Sequence, residues 1–334
     1  MTAESSPRIH PPASPDDIHP PVPHWPGRLV PLRDGQQVYL AQTPPTVPDD
    51  DREPVLCVHG MSGAATNWTD FMAELAPDFR CAAVDLPGSG FSPPPRTTAG
   101  YSIKALAGTV TSLIEALGDG PVHLVGNSMG GAVCIRAAAS RPDLVRTLTL
   151  VSPVLPDRLV RPDLIRFPLV ALPVVGDWLM RRTELIPAET RVAGVVTTCY
   201  YDPGAVHQER FSLEVAELKR KDGLGYAHLT LSRAARTIVA EHLRPRRYSL
   251  WRAAEQIPVP VLVLFGSHDR LVNPRLAAPA ARAFRNASVL VLPRTGHVAQ
   301  MEHPALVAAR FREMVNGGMP DASDRLSPDE VPST

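Results

Sequence analysis

Cysteine is scarce in this 334-residue chain, and the four present, Cys57, Cys81, Cys134 and Cys199, stand far apart. Such spacing excludes the paired thiols of a zinc motif. Three of the four lie in apolar or small-residue runs, so buried free thiols in a reducing, cytoplasmic compartment are expected. An excess of charge is also missing, since 34 Lys and Arg balance 34 Asp and Glu. Neutralising phosphates takes a basic surface, so nucleic acid is excluded as a partner. Long hydrophobic runs are absent: the longest strongly apolar stretch, "FPLVALPVV" at 167–175, contains two prolines and falls far short of the ~20 residues that span a bilayer. A transmembrane helix is therefore excluded, while contact with a membrane surface stays open. The first residues hold neither a basic n-region nor an apolar h-region, so export by the usual route is not expected. Their prolines and polar residues predict a disordered arm over 1–27, and the composition of 318–334 predicts a disordered tail.

What the chain does have is alternation. Short β-branched runs at 38–42, 55–59, 81–85, 122–126, 147–151, 261–266 and 289–292 are separated by helical patterns, several closed by Gly or Pro. Most of these runs are apolar throughout, as strands covered on both faces should be. The pattern predicts an α/β fold: a mostly parallel central sheet with helices on both faces. The alternation stops at Pro153 and resumes near Pro258, and the stretch between is Arg-rich and broken by prolines. It is expected to form an inserted helical cap, 153–255, over the carboxyl ends of the strands, between core segments 28–152 and 256–317.

Chemistry is suggested first by "HLVGNSMGGAV" at 123–133, where Ser128 follows an apolar run and precedes a small-residue helix. A G-x-S-x-G sequence between strand and helix is the setting of a nucleophile held on a tight turn. The plainer reading is a serine that N-caps its helix. A nucleophile needs a base and an acid that orients the base. Asp269 follows the strand "VLVLFG" and suits the acid, with Asp157, after "LTLVSPVLP", as its rival. His297, after the last strand and a "PRTG" turn, suits the base, and His268 and His303 read as structural or surface residues.

Four stretches in this order, "HGMSGAATNW" at 59–68, "DLPGSGFS" at 85–92, "GNSMGG" at 126–131, and "GSHD" at 266–269 with "TGHVAQMEHP" at 295–304, resemble the α/β-hydrolase superfamily, in particular its capped serine hydrolases. The group includes esterases, monoacylglycerol lipases and carbon-carbon bond hydrolases. The resemblance runs from about residue 28 to 316. It implies a Ser128, Asp269, His297 triad and an oxyanion hole formed by the backbone amides of Met61 and Met129. It also implies substrate contacts from Gly60, Trp68, Asn127 and Val298, with His59 as a loop support and Asp85 as a turn organiser. No metal or organic cofactor is implied. Dehalogenases and epoxide hydrolases of this fold resemble the chain elsewhere but carry an aspartate where Ser128 stands. The expected activity is hydrolysis of a small-molecule ester with a hydrophobic acyl or alkyl group through an acyl-enzyme. Carbon-carbon bond cleavage stays open, although Val298 stands where those hydrolases tend to carry tryptophan. A binding protein on the same scaffold and weak membrane-surface contact through the cap stay open as well.

Overall fold

In the computed structural model, which describes residues 22–45, 50–157 and 167–317, eight strands form one sheet in the order β1-β2-β4-β3-β5-β6-β7-β8. They are β1 (Gly27–Pro31), β2 (Gln37–Gln42), β3 (Glu53–Val58), β4 (Phe79–Val84), β5 (Val122–Asn127), β6 (Val145–Val151), β7 (Val261–Gly266) and β8 (Ala287–Leu292). β1 pairs antiparallel with β2, and β2 with β4. From β4 across to β8 every pairing is parallel.

The parallel strands are linked by helices on both faces, α1 (Thr69–Leu75), α2 (Ile103–Leu117) and α3 (Met129–Ser140) before β6. The long insertion between β6 and β7 carries α4 (Phe167–Ala171), α5 (Val175–Thr183), α6 (Ala188–Cys199), α7 (Gln208–Asp222), α8 (Ala227–Leu243) and α9 (Leu250–Ala254). After β7 come α10 (Ala277–Ala283), then β8, α11 (Ala299–Glu302) and α12 (Pro304–Val315). Side chains on successive strand residues take opposite faces. Leu56 and Val58 accordingly join the core under α2 and α3, while Val55 and Cys57 join the core under α1 and α12. Burial on both faces is what made these strands apolar throughout.

Two expectations change. The edge strand β1 carries no apolar alternation, because only Val30 of its five residues is buried. The end of the expected arm is anchored: Trp25 Nε1 donates to Thr69 O at 3.0 Å, and Arg210 of α7 donates to Val22 O at 2.6 Å. The rest of the arm, the tail and residues 158–166 of the insertion lie outside the described residues. Cys57, Cys81 and Cys134 are buried, Cys199 is half-buried, and all four are free thiols. Among the described residues no helix is long and apolar enough to cross a membrane.

Candidate active site

β5 ends at Asn127, and the chain reverses into α3 through Ser128, whose φ of 54° and ψ of −120° lie where side-chain-bearing residues rarely sit. The serine N–H donates to Val151 O at 3.0 Å, and its carbonyl accepts from Ala132 and Val154 at 3.2 and 3.0 Å. These three bonds hold the strained turn. The hydroxyl makes no capping bond to α3, so the helix-cap reading does not apply. The helix starts close against β3: a Cβ on Gly130 would lie 2.3 Å from Val58 O, which only glycine avoids.

Asp269 follows β7 and is buried. Its Oδ1 accepts from the Leu271 and Val272 amides at 2.8 and 2.9 Å, and its Oδ2 lies 2.8 Å from His297 Nδ1. Burial works to raise the Asp269 carboxyl, but the facing imidazole and the Val272 amide outweigh it and hold the group below its ordinary value. An ionised Oδ2 requires the proton on Nδ1, which leaves Nε2 with a free lone pair. Ser128 and His297 line one cavity.

Asp157 lines this cavity too, from the loop after β6. His268 is exposed, bonded to Ser267 Oγ at 2.8 Å and packed on Tyr201. His303 borders the cavity and opens α12, with Nε2 3.4 Å from Arg294 O.

The loop after β3 approaches the serine closely, since a Cβ on Gly60 would lie 3.0 Å from Ser128 Cβ. His59 shapes that loop. Its Nε2 accepts from the Leu86 amide at 3.0 Å, so Nδ1 carries the proton and donates to Gly60 O at 2.7 Å. Gly63 N–H donates to the same carbonyl at 3.2 Å. In a trans peptide the N–H points opposite to the C=O, so the Met61 amide faces away from the imidazole. Met129 opens α3, where first-turn amides have no carbonyl one turn back. Asp85 ties the loops together, accepting from Ala65 and Phe91 amides at 2.7 and 2.8 Å.

Burial pushes the His59 imidazole down to about 4 and the Asp85 carboxyl up to about 6. The unfolded chain takes up the His59 proton near ~6.5 and the folded chain only near the lower value, so this stability is intact above the first and lost as pH falls toward the second. Asp85 acts in the opposite sense. Its folded carboxyl is protonated at a pH where the unfolded one, at ~3.9, is still ionised, so acid strengthens the fold across that window. His59→Gln keeps one donor and one acceptor. As pH falls from about 7 to about 4 it is expected to gain on the order of 3 kcal/mol over the wild type, read from urea midpoints at each pH. Parallel curves would mean that His59 protonates alike in both states.

One expected substrate contact is placed differently, and a second carries a further task. Trp68 does not line the cavity. The short turn Ala65–Trp68 swings it fully into the core beneath α1, against Phe71. Asn127 touches the cavity, but its amide nitrogen is spent on Val151 O at 3.0 Å and His297 O at 3.1 Å. It tethers the histidine loop to the elbow. Gly60, Met61 and Val298 line the cavity, and the Met129 side chain is buried.

One group in the site had no role in the sequence reading. Glu302 Oε1 accepts from Gly296 N–H and Oε2 from Tyr201 N–H, both at 2.8 Å, while His297 N–H donates to Cys199 O at 2.6 Å. The end of α6 is thereby laced to the histidine loop. Glu302 is visible in "TGHVAQMEHP", but its second partner lies 101 residues away.

The cavity has a volume of about 1510 Å³ and runs from the serine under the insertion, where Val154, Leu155, Met180, Leu231, Ile238 and Leu276 give it an apolar wall. Among the described residues no group of His, Cys, Asp or Glu is placed to hold a metal ion.

Residues 53–304 match the model of a family described as the alpha/beta hydrolase fold. The chain belongs to the alpha/beta hydrolase fold family. The chain is 30% identical over 250 residues to a protein of Cupriavidus necator named as the dihydrolipoyllysine-residue acetyltransferase component of an acetoin cleaving system, covering 75% of this chain and 60% of that one. It thus spans less than two thirds of that relative's length. It is 28% identical over 270 residues to a pimeloyl-[acyl-carrier protein] methyl ester esterase of Neisseria meningitidis, covering 79% of this chain and 93% of the esterase. The 2-hydroxy-6-oxo-6-phenylhexa-2,4-dienoate hydrolase of a Rhodococcus strain superposes on the chain with a TM-score of 0.69 at 22% identity, over 87% of this chain and all of that one. This last likeness speaks to the fold alone.

Proposed function

We propose that this hydrolase cleaves carboxylic esters bearing a hydrophobic acyl or alkyl group, through an acyl-enzyme on Ser128. The observation that carries the reading is the strained Ser128 and the His297–Asp269 pair facing one apolar-walled cavity. His297 Nε2 takes the serine proton as Oγ attacks the ester carbonyl. The oxyanion then sits between the Met61 and Met129 amides, each worth about 3 kcal/mol in sites of this kind. His297 returns the proton to the leaving alcohol, and water activated by the same imidazole releases the acid. A relative named as a methyl ester esterase supports the ester as electrophile. The four free thiols support a reducing, cytoplasmic compartment.

The test is release of phenolate from p-nitrophenyl esters of graded chain length. Turnover is expected to peak at medium or long chains, because the cavity exceeds the ~300–1,000 Å³ of common ligand sites. Absence of turnover at every length in folded protein would shift the reading to carbon-carbon bond hydrolysis or to ligand binding without chemistry, which a phenyl-dienoate substrate distinguishes.

A further inference from the structure

We propose that the outer face of α4 and α5 docks on an anionic lipid surface, and that apolar substrate reaches the cavity from that side past α5. The docking stands whether or not esters are the substrate.

Large apolar side chains are exposed here in unusual density. Leu169, Leu172, Val174, Val175, Trp178, Leu185 and Ile186 are all exposed within eighteen residues, Val174 at 77% and Leu185 at 78%. Along α5 and just beyond it Val175, Trp178, Arg182 and Leu185 recur at helical spacing, so one outward stripe carries three apolar groups and a guanidinium. Monomer surfaces seldom expose such a patch without a partner.

The remaining sides of α5 are accounted for. Asp177 accepts from Arg236 Nη2 at 2.7 Å and from Ser232 Oγ, both on α8, and Glu184 pairs with His228 of α8 at 3.1 Å. Met180 and Thr183, with Val170 of α4, line the cavity. A single helix therefore separates the exposed stripe from the space above Ser128.

Charge selects the occupant. The two carboxylates of α5 and its C-terminal end, Asp177 and Glu184, are turned toward α8, while Arg181 and Arg182 are exposed and make no ion pair among the described residues. The Arg182 guanidinium lies over the Trp178 ring at 4.8 Å. A second copy of the chain docked by the same face would set these arginines against their like, with Asp177 and Glu184 already spent on α8, whereas anionic headgroups complement them, with tryptophan at the interface. The leading edge is shaped to enter: Val174 has φ 66° and ψ −54°, and Val175 N–H bonds Pro173 O at 2.7 Å. This tight turn is strained for a β-branched residue and drives an apolar side chain outward.

The full chain is sedimented with vesicles of phosphatidylcholine, alone or with a third phosphatidylglycerol. Wild type is expected to bind the anionic vesicles about tenfold more tightly or better. Arg181→Glu with Arg182→Glu is expected to remove that preference. Val174→Asp with Trp178→Ser is expected to weaken binding to both vesicles about tenfold or more, leaving turnover of a short, water-soluble ester within about twofold. Wild type that ignores both vesicles, binding that survives both pairs of substitutions, or a concentration-dependent dimer abolished by either pair without vesicle binding would each overturn the proposal.

Discussion

Ser128→Ala is expected to lower kcat for every ester the protein turns over by about 10⁵-fold or more, since the acyl-enzyme loses the atom on which it forms. The fold should tolerate the change. The hydroxyl makes no helix-capping bond, and the backbone strain at φ 54° is shared by alanine, so the melting temperature should move by only a few degrees. Residual activity would come from the oxyanion amides and binding alone. Adding His297→Ala should cost little more, because nucleophile and base act in one proton transfer. A serine-directed phosphonate should label the wild type and not the variant. Independent, multiplying losses in the double variant would contradict the shared step.

Asp269→Asn is expected to cost roughly 10³- to 10⁴-fold in kcat, by comparison with serine hydrolases whose acid has been changed in this way. The loop should survive, because the asparagine carbonyl still accepts from the Leu271 and Val272 amides. What changes is the group facing His297 Nδ1: an NH₂ in place of a carboxylate oxygen drives the ring proton to Nε2, leaving no lone pair for the serine. Asp157→Asn should alter kcat by less than about threefold. The reverse ranking would transfer the acid's role to the loop after β6. Steady-state rates for the two variants on one ester separate these cases.

The parallel sheet was legible because most of its strands are buried on both faces, which writes a continuous apolar run into the sequence. The strand starts were not, since Glu53 and Ala287 enter the sheet before the apolar run begins. β1 was invisible for a related reason, as an edge strand with one buried residue needs no pattern. Among the candidate site residues, Ser128, Asp269 and His297 were picked out by their places after β5, β7 and β8, and the fold brings Asp269 against His297 and sets His297 and Ser128 on one cavity. Trp68 shows the limit of that method, and Asn127 a task it does not reveal. Nearness to a motif says that a residue is close to the site, and only the local turn decides which way it points: inward to the core for Trp68, along the backbone of the histidine loop for Asn127. Glu302 depends on a contact with the insertion that no local pattern records.

That contact bears on how such proteins diversify. Insertions over a hydrolase core are often treated as exchangeable parts that set substrate choice and leave the chemistry alone. Here a Cβ on Gly296 would lie 2.3 Å from Cys199 O and 2.7 Å from Tyr201 N, so the insertion is seated directly against the peptide that precedes His297. A foreign insertion grafted at the same junctions would have to reproduce the backbone path of residues 199–201 to keep the imidazole aimed. A new specificity brought in by such a graft is therefore constrained at three residues that line the cavity and brace the histidine loop at once.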